Sequence, residues 1–116
     1  MSDLKPNGTT FNIGGQEYGL LFSINVIDDI QDHFNVEIGK ISDVLSDPKN
    51  QFKNLRWLIT TLVNEWIDSQ NEKSTEKINK LEERMVGRYI TASNMNEIQL
   101  AFYQSFKQAA PEVDPN

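Results

Sequence analysis

Apolar residues recur three and four apart through the middle of the chain. Phe52, Leu55, Ile59, Leu62, Val63 and Trp66 fall on one side of an α-helix, and Leu58 and Ile67 widen that side at its edges. A face so broad must be covered by other elements, so this helix, expected over about 48–69, is the predicted centre of the fold. Trp57 falls nearly opposite the middle of that face, at about 100° per residue, where burial is least expected. Upstream, two alternating stretches, 9–13 and 16–20, flank Gly14-Gly15 and predict a hairpin with a two-residue turn. Counting outward from the turn sets Ile13 opposite Gln16 and Phe11 opposite Tyr18. Phe11, Ile13, Tyr18 and Leu20 then share the face that rests on the helices.

The remaining pattern is helical. Ser23 or Asn25 caps a helix to about residue 34 with Ile24, Ile27, Ile30 and Phe34 inward. A short helix is expected over about 40–45, where Ile41, Val44 and Leu45 follow Ile38. Ser46-Asp47-Pro48 then reads as the start signal of the central helix. After a polar loop over 70–73, Ser74 or Thr75 caps a helix with Ile78, Leu81, Met85 and Tyr89 on one face. Asn94-Met95-Asn96-Glu97 resembles a capping box and opens a last helix that carries Met95, Ile98, Ala101, Phe102, Ser105, Phe106 and Ala109 along one side until Pro111. The sum is a mainly α single domain: an N-terminal β-hairpin, four main helices and one short helix. Order is expected over about 9–111, with loose termini at 1–8 and 112–116.

Composition narrows the function classes. A chain of 116 residues fits one domain and buries a core without staples; it has no cysteine for disulfides, thiolate nucleophiles or thiolate-bound zinc. The net charge of −6 is not offset by any basic tail or stripe, which argues against nucleic acid and acidic membrane surfaces as partners. The first residues lack the apolar run of a signal peptide, and no stretch approaches a membrane span. A soluble, cytoplasmic protein is therefore expected.

Candidate chemistry is sparse. Gly14-Gly15 lacks the third glycine and the Lys-Ser/Thr of a phosphate-cradling loop. His33, the single histidine, has Asp29 four residues before it but no second imidazole or carboxylate cluster to complete a metal site. Ser74-Thr75-Glu76-Lys77 matches Ser-x-x-Lys without the companion motifs of penicillin-recognising enzymes, so it reads as a helix start. With no titratable groups gathered by spacing, the chain is expected to be non-enzymatic, with no catalytic residue, metal or cofactor. Partner binding needs exposed apolar anchors; Trp57, Leu100 and Tyr103 are the candidates, with Val86 and Ile90 on the flank of the third helix.

The run Phe11-Asn12-Ile13-Gly14-Gly15-Gln16-Glu17-Tyr18-Gly19-Leu20-Leu21-Phe22-Ser23-Ile24-Asn25-Val26-Ile27 resembles the opening of tail assembly chaperones of long-tailed bacteriophages and prophages. In those proteins a strand, Gly-Gly or Gly-Lys, a second strand and Phe-Thr/Ser-Ile-Asn lead into an acidic helix. Ile41-Ser42-Asp43-Val44-Leu45, Leu55 to Trp66, Thr75-Glu76 and Val86-Gly87-Arg88-Tyr89-Ile90 continue the likeness, which spans about 10–111. The resemblance implies a non-enzymatic holder of the tape measure protein. Such a holder helps recruit tail-tube subunits, works in the cytoplasm of the bacterial host and is not retained in the mature virion. Self-association into a homo-oligomer is left open. The alternative from another class is a small acidic regulatory or adaptor protein, antitoxin- or anti-repressor-like, acting through protein–protein binding.

Overall fold

The computed structural model describes residues 10–109. The tails expected to be loose, 1–8 and 112–116, lie outside the described residues, as do the side chains of Phe11 and Ala109. β1 (Thr10–Ile13) and β2 (Gln16–Gly19) pair antiparallel in the predicted register, with Ile13 opposite Gln16 and Phe11 opposite Tyr18. Gly14 and Gly15 adopt φ of 63° and 90°, the left-handed pair that a two-residue turn demands, and Asn12 Oδ1 accepts the Gly15 N–H at 2.8 Å. Ile13, Tyr18 and Leu20 are buried, so the hairpin lays one face on the helices and leaves Gln16 and Glu17 in water.

α1 (Ile24–Phe34) starts at Ser23, whose Oγ accepts the Val26 N–H at 3.1 Å and donates to Glu65 Oε2 at 2.5 Å. It ends on Asn35 in the left-handed region, a conformation asparagine tolerates better than most residues. Val26 and Ile30 are buried, spaced one turn apart, with Ile27 and Phe34 half-buried. Ile24 does not point inward as expected: it is 78% exposed, because the helix begins there and the core is reached only two residues later. A 3-10 turn (Ile38–Lys40) leads into α2 (Ile41–Leu45), which buries Ile41 and Leu45.

α3 (Gln51–Lys73) is the centre of the molecule. It buries Leu55, Leu58, Ile59, Leu62, Val63 and Ile67, and receives the hairpin, α1 and α2 along its length. Buried Thr60 satisfies its hydroxyl by donating to the Arg56 carbonyl at 2.7 Å. The helix starts later than Pro48. Asp47 accepts both the Lys49 N–H and the Asn50 amide, so residues 47–50 close a turn ahead of it. It also continues through residues 70–73, expected as a loop.

The largest departure follows. Residues 74–82 form no helix: the backbone is extended at Ser74, bends at Thr75 and Glu76, and is extended again at Glu82, and α4 is confined to Glu83–Tyr89. The chain reverses after Lys73 and lies antiparallel along α3. There Asn71 and Asn64 each pair through their side-chain amides with the main chain of Ile78 and Leu81. α5 (Met95–Ala109) closes the fold and buries Ile98, Ala101 and Phe102 as predicted. Asn94 does not build the expected capping box; its amide turns back to the Tyr89 carbonyl at 2.8 Å and the Thr91 N–H at 2.7 Å, stitching the α4–α5 connection. The architecture is thus mainly α with an N-terminal hairpin. No helix among the described residues is long and apolar enough to cross a membrane.

Candidate protein-docking groove

The opening turn of α3, before Leu55, is only partly covered. Phe52, at the helix start, is expected to be inside but is 62% exposed; one turn on, Leu55 is fully covered. Between these two residues, the end of α4 and the start of α5 lies an open groove of about 280 Å³. Leu55, Ile90 and Met95 form its apolar floor, and Phe52, Lys53 and Arg56 stand at its rim. Its shape depends on Gly87. A Cβ there would sit 2.7 Å from Arg56 Cδ, so only glycine lets the arginine stem lie flat across α4. The arginine Nε then comes within 3.5 Å of Glu83 Oε1 and is buried without a hydrogen-bond partner among the described residues. A volume just under the ~300–1,000 Å³ usual for small-molecule sites suits one or two apolar side chains of another polypeptide better than a drug-sized ligand.

A second depression, about 370 Å³, opens beside the hairpin turn, lined by Asn12, Gly14, Gly15, Tyr89, Asn94, Glu97 and Ile98. It is no phosphate cradle. The Gly15 N–H is already given to Asn12, the Tyr89 ring lies over Gly14, and the one charged group there is the Glu97 carboxylate, which repels an anion. Among the described residues no three of His, Cys, Asp or Glu come together as a metal site.

The five expected partner-binding residues separate. Trp57 is half-buried, contrary to its position opposite the apolar face: the end of α1 covers it. The His33 ring stacks on it at 3.8 Å and 8°, and Phe34 meets it edge-on at 5.3 Å. Val86 is fully buried and is no surface anchor in this fold. Because residues 74–82 are not helical, α4 is free to rotate away from the expected Ile78-Leu81-Met85-Tyr89 stripe; it turns Val86 inward and leaves Tyr89 40% exposed. Ile90 is half-buried and lines the groove. Leu100 stands 59% exposed on the outer side of α5. Tyr103 is half-buried, edge-on to Phe102 at 5.2 Å, and loss of hydration raises its hydroxyl pKa above the ordinary value. Of the five, only Ile90 belongs to the groove. Phe52, Lys53, Arg56 and Met95 are its unanticipated members; the signal for them was a phenylalanine in a helix's opening turn with cations one and four residues on.

Compared with known proteins, the chain matches no family model, no curated protein and no solved structure.

Proposed function

We propose that the chain is a tail assembly chaperone of a long-tailed bacteriophage or prophage, acting without catalysis or a cofactor. Its client is the tape measure protein, it helps recruit tail-tube subunits, and it works in the cytoplasm of the bacterial host without entering the mature virion. Two independent lines support this reading: the likeness running from Phe11-Asn12-Ile13-Gly14-Gly15 to Val86-Gly87-Arg88-Tyr89-Ile90, and the groove between α3, α4 and α5.

The groove carries the argument. An amphipathic client helix presents apolar anchors one turn apart to a hydrophobic trough. Leu55, Ile90 and Met95 offer such a trough, with Phe52 as an aromatic flap at its edge. Lys53 places a cation at the rim of a chain whose net charge is −6, beside the Arg56–Glu83 pair, so the face that binds is locally less acidic than the rest of the surface. It favours a client helix with acidic residues flanking its anchors. The surrounding negative charge keeps the loaded chaperone from self-association. Co-expression with a tape measure protein from the same genome tests the proposal. The client should stay soluble and co-purify with the chain; equal solubility of the client without the chain would refute it.

A further inference from the structure

Residues 74–82 carry a helix code and do not follow it. Ile78, Leu81, Met85 and Tyr89 are spaced three and four apart, and strong helix formers, Glu76, Lys77, Lys80, Glu82, Glu83 and Arg84, fill the positions around them. Glu76 and Lys80 even stand at the favourable i, i+4 spacing and order. The start signal is also in place: Ser74 has extended backbone, and its Oγ accepts the Glu76 N–H at 3.0 Å, as an N-cap does. Yet α4 begins at Glu83, behind Glu82, whose side chain makes no capping bond. A capped start without a helix and a helix without a capped start are a conflict between local preference and fold.

What overrides the local preference is a clasp on α3. Asn64 and Asn71 are seven residues apart, two turns on one stripe, about 10 Å along the axis at ~1.5 Å per residue. Three residues of extended chain span about 10 Å as well, which brings Ile78 to Asn71 and Leu81 to Asn64. Each amide accepts a main-chain N–H at 2.8 Å and donates to the carbonyl of the same residue at 2.9 Å, as a neighbouring strand would. Lys80 reaches Asp68 between them at 3.2 Å. The amides read main chain and spacing, not side-chain identity; Leu81 is buried in the core and Ile78 packs half-buried against it.

We propose that residues 74–82 are a displaceable strap, the internal occupant of a binding site for extended polypeptide. In the alternative arrangement the strap winds into a helix that runs from Ser74 into α4. The Asn64 and Asn71 amides and the apolar surface beneath Leu81 are then open to another extended chain with an apolar residue at the Leu81 position. This site is separate from the α3–α4–α5 groove and stands whether or not that groove receives a client.

Native-state hydrogen exchange and a peptide probe test it. Asn79 is exposed and its N–H holds no partner in the strap, so Asn79→Pro removes none of the strap's hydrogen bonds and forbids the helix. In the wild-type chain the Ile78 and Leu81 amides should exchange at least about tenfold faster than those of Leu62 and Val63, through an opening smaller than global unfolding. Asn79→Pro should slow them. A synthetic peptide of residues 74–84 at millimolar concentration should shift the side-chain amide signals of Asn64 and Asn71 in wild type, and shift them less in Asn79→Pro. Exchange of Ile78 and Leu81 only at the global rate, or amide signals unmoved by the peptide, overturns the proposal. Should Asn79→Pro fail to fold, the wild-type exchange and titration decide alone.

Discussion

Gly19 and Trp66 share a single space. The indole of Trp66 meets Tyr18 edge-on at 6.2 Å, and a Cβ added at Gly19 would lie 2.5 Å from its Nε1. The ring cannot bend away as a lysine tip could, so Gly19→Ala is expected to destabilise the fold by about 1–3 kcal/mol, read as a lower denaturant midpoint with the slope unchanged. The asparagines on α3 make a sharper case. Removing the Asn64 amide orphans the N–H and C=O of nearly buried Leu81, and Asn64→Ala should cost about 2 kcal/mol. Asn64→Asp keeps the acceptor and loses the donor, setting a carboxylate against the Leu81 carbonyl. It should be no more stable than the alanine variant in denaturant melts, although it is the closer isostere. Residue-level roles of this kind were the least legible in the sequence. The period that places Leu62 and Val63 inside says nothing of where an asparagine's amide will reach. Trp57 misled for a related reason: its angle on α3 is correct, but its cover comes from His33 and Phe34, more than twenty residues earlier in the chain.

Elements follow from local rules where those rules face no competitor. The hairpin register was readable because Gly14-Gly15 fixes the turn and period-two alternation fixes the face. α1 was readable from Ser23 onward. Ser23→Ala, which also removes the link to Glu65, is expected to lower stability by about 1 kcal/mol, visible as a drop in melting temperature with α1 amides losing protection. The start of α3 was misplaced because Asp47 bonds a turn rather than a helix. The Asn50 side-chain amide, and after it the Lys49 N–H, hold the Asp47 carboxyl below its ordinary value of 3.8. A carboxyl depressed in the folded state contributes stability above its ordinary titration range and loses it as pH falls through the lowered value. Asp47→Ala should therefore melt below the parent near neutral pH, and the gap between them should close in acid. The third helix was overextended because its local code is sound and the clasp from α3 defeats it, a tertiary effect that no window of sequence contains.

At the scale of the whole molecule, the core was legible and the surface was not. Broad apolar coverage of α3 specified that other elements must surround it, and the hairpin, α1, α2 and α4 do, while α5 packs against β1 and adds Ile98, Ala101 and Phe102 to the same core. The groove is what that packing leaves uncovered at one end of α3. It is a product of where α4 stops and α5 begins, which explains why Phe52 looked like core and Ile90 like flank. The proposed chaperone activity makes this uncovered end the working face, with Phe52 contributing to binding and little to folding. Leu100, equally apolar and nearly as exposed, lies on the far side of α5 and outside the groove. The decisive measurement is a calorimetric titration of a purified amphipathic segment of the tape measure protein into wild type, Phe52→Asp and Leu100→Asp, each first shown to melt like the parent. Binding by wild type and Leu100→Asp, with a loss of at least about tenfold in Phe52→Asp, is the predicted result. Undiminished binding by Phe52→Asp, or a loss confined to Leu100→Asp, would contradict the account.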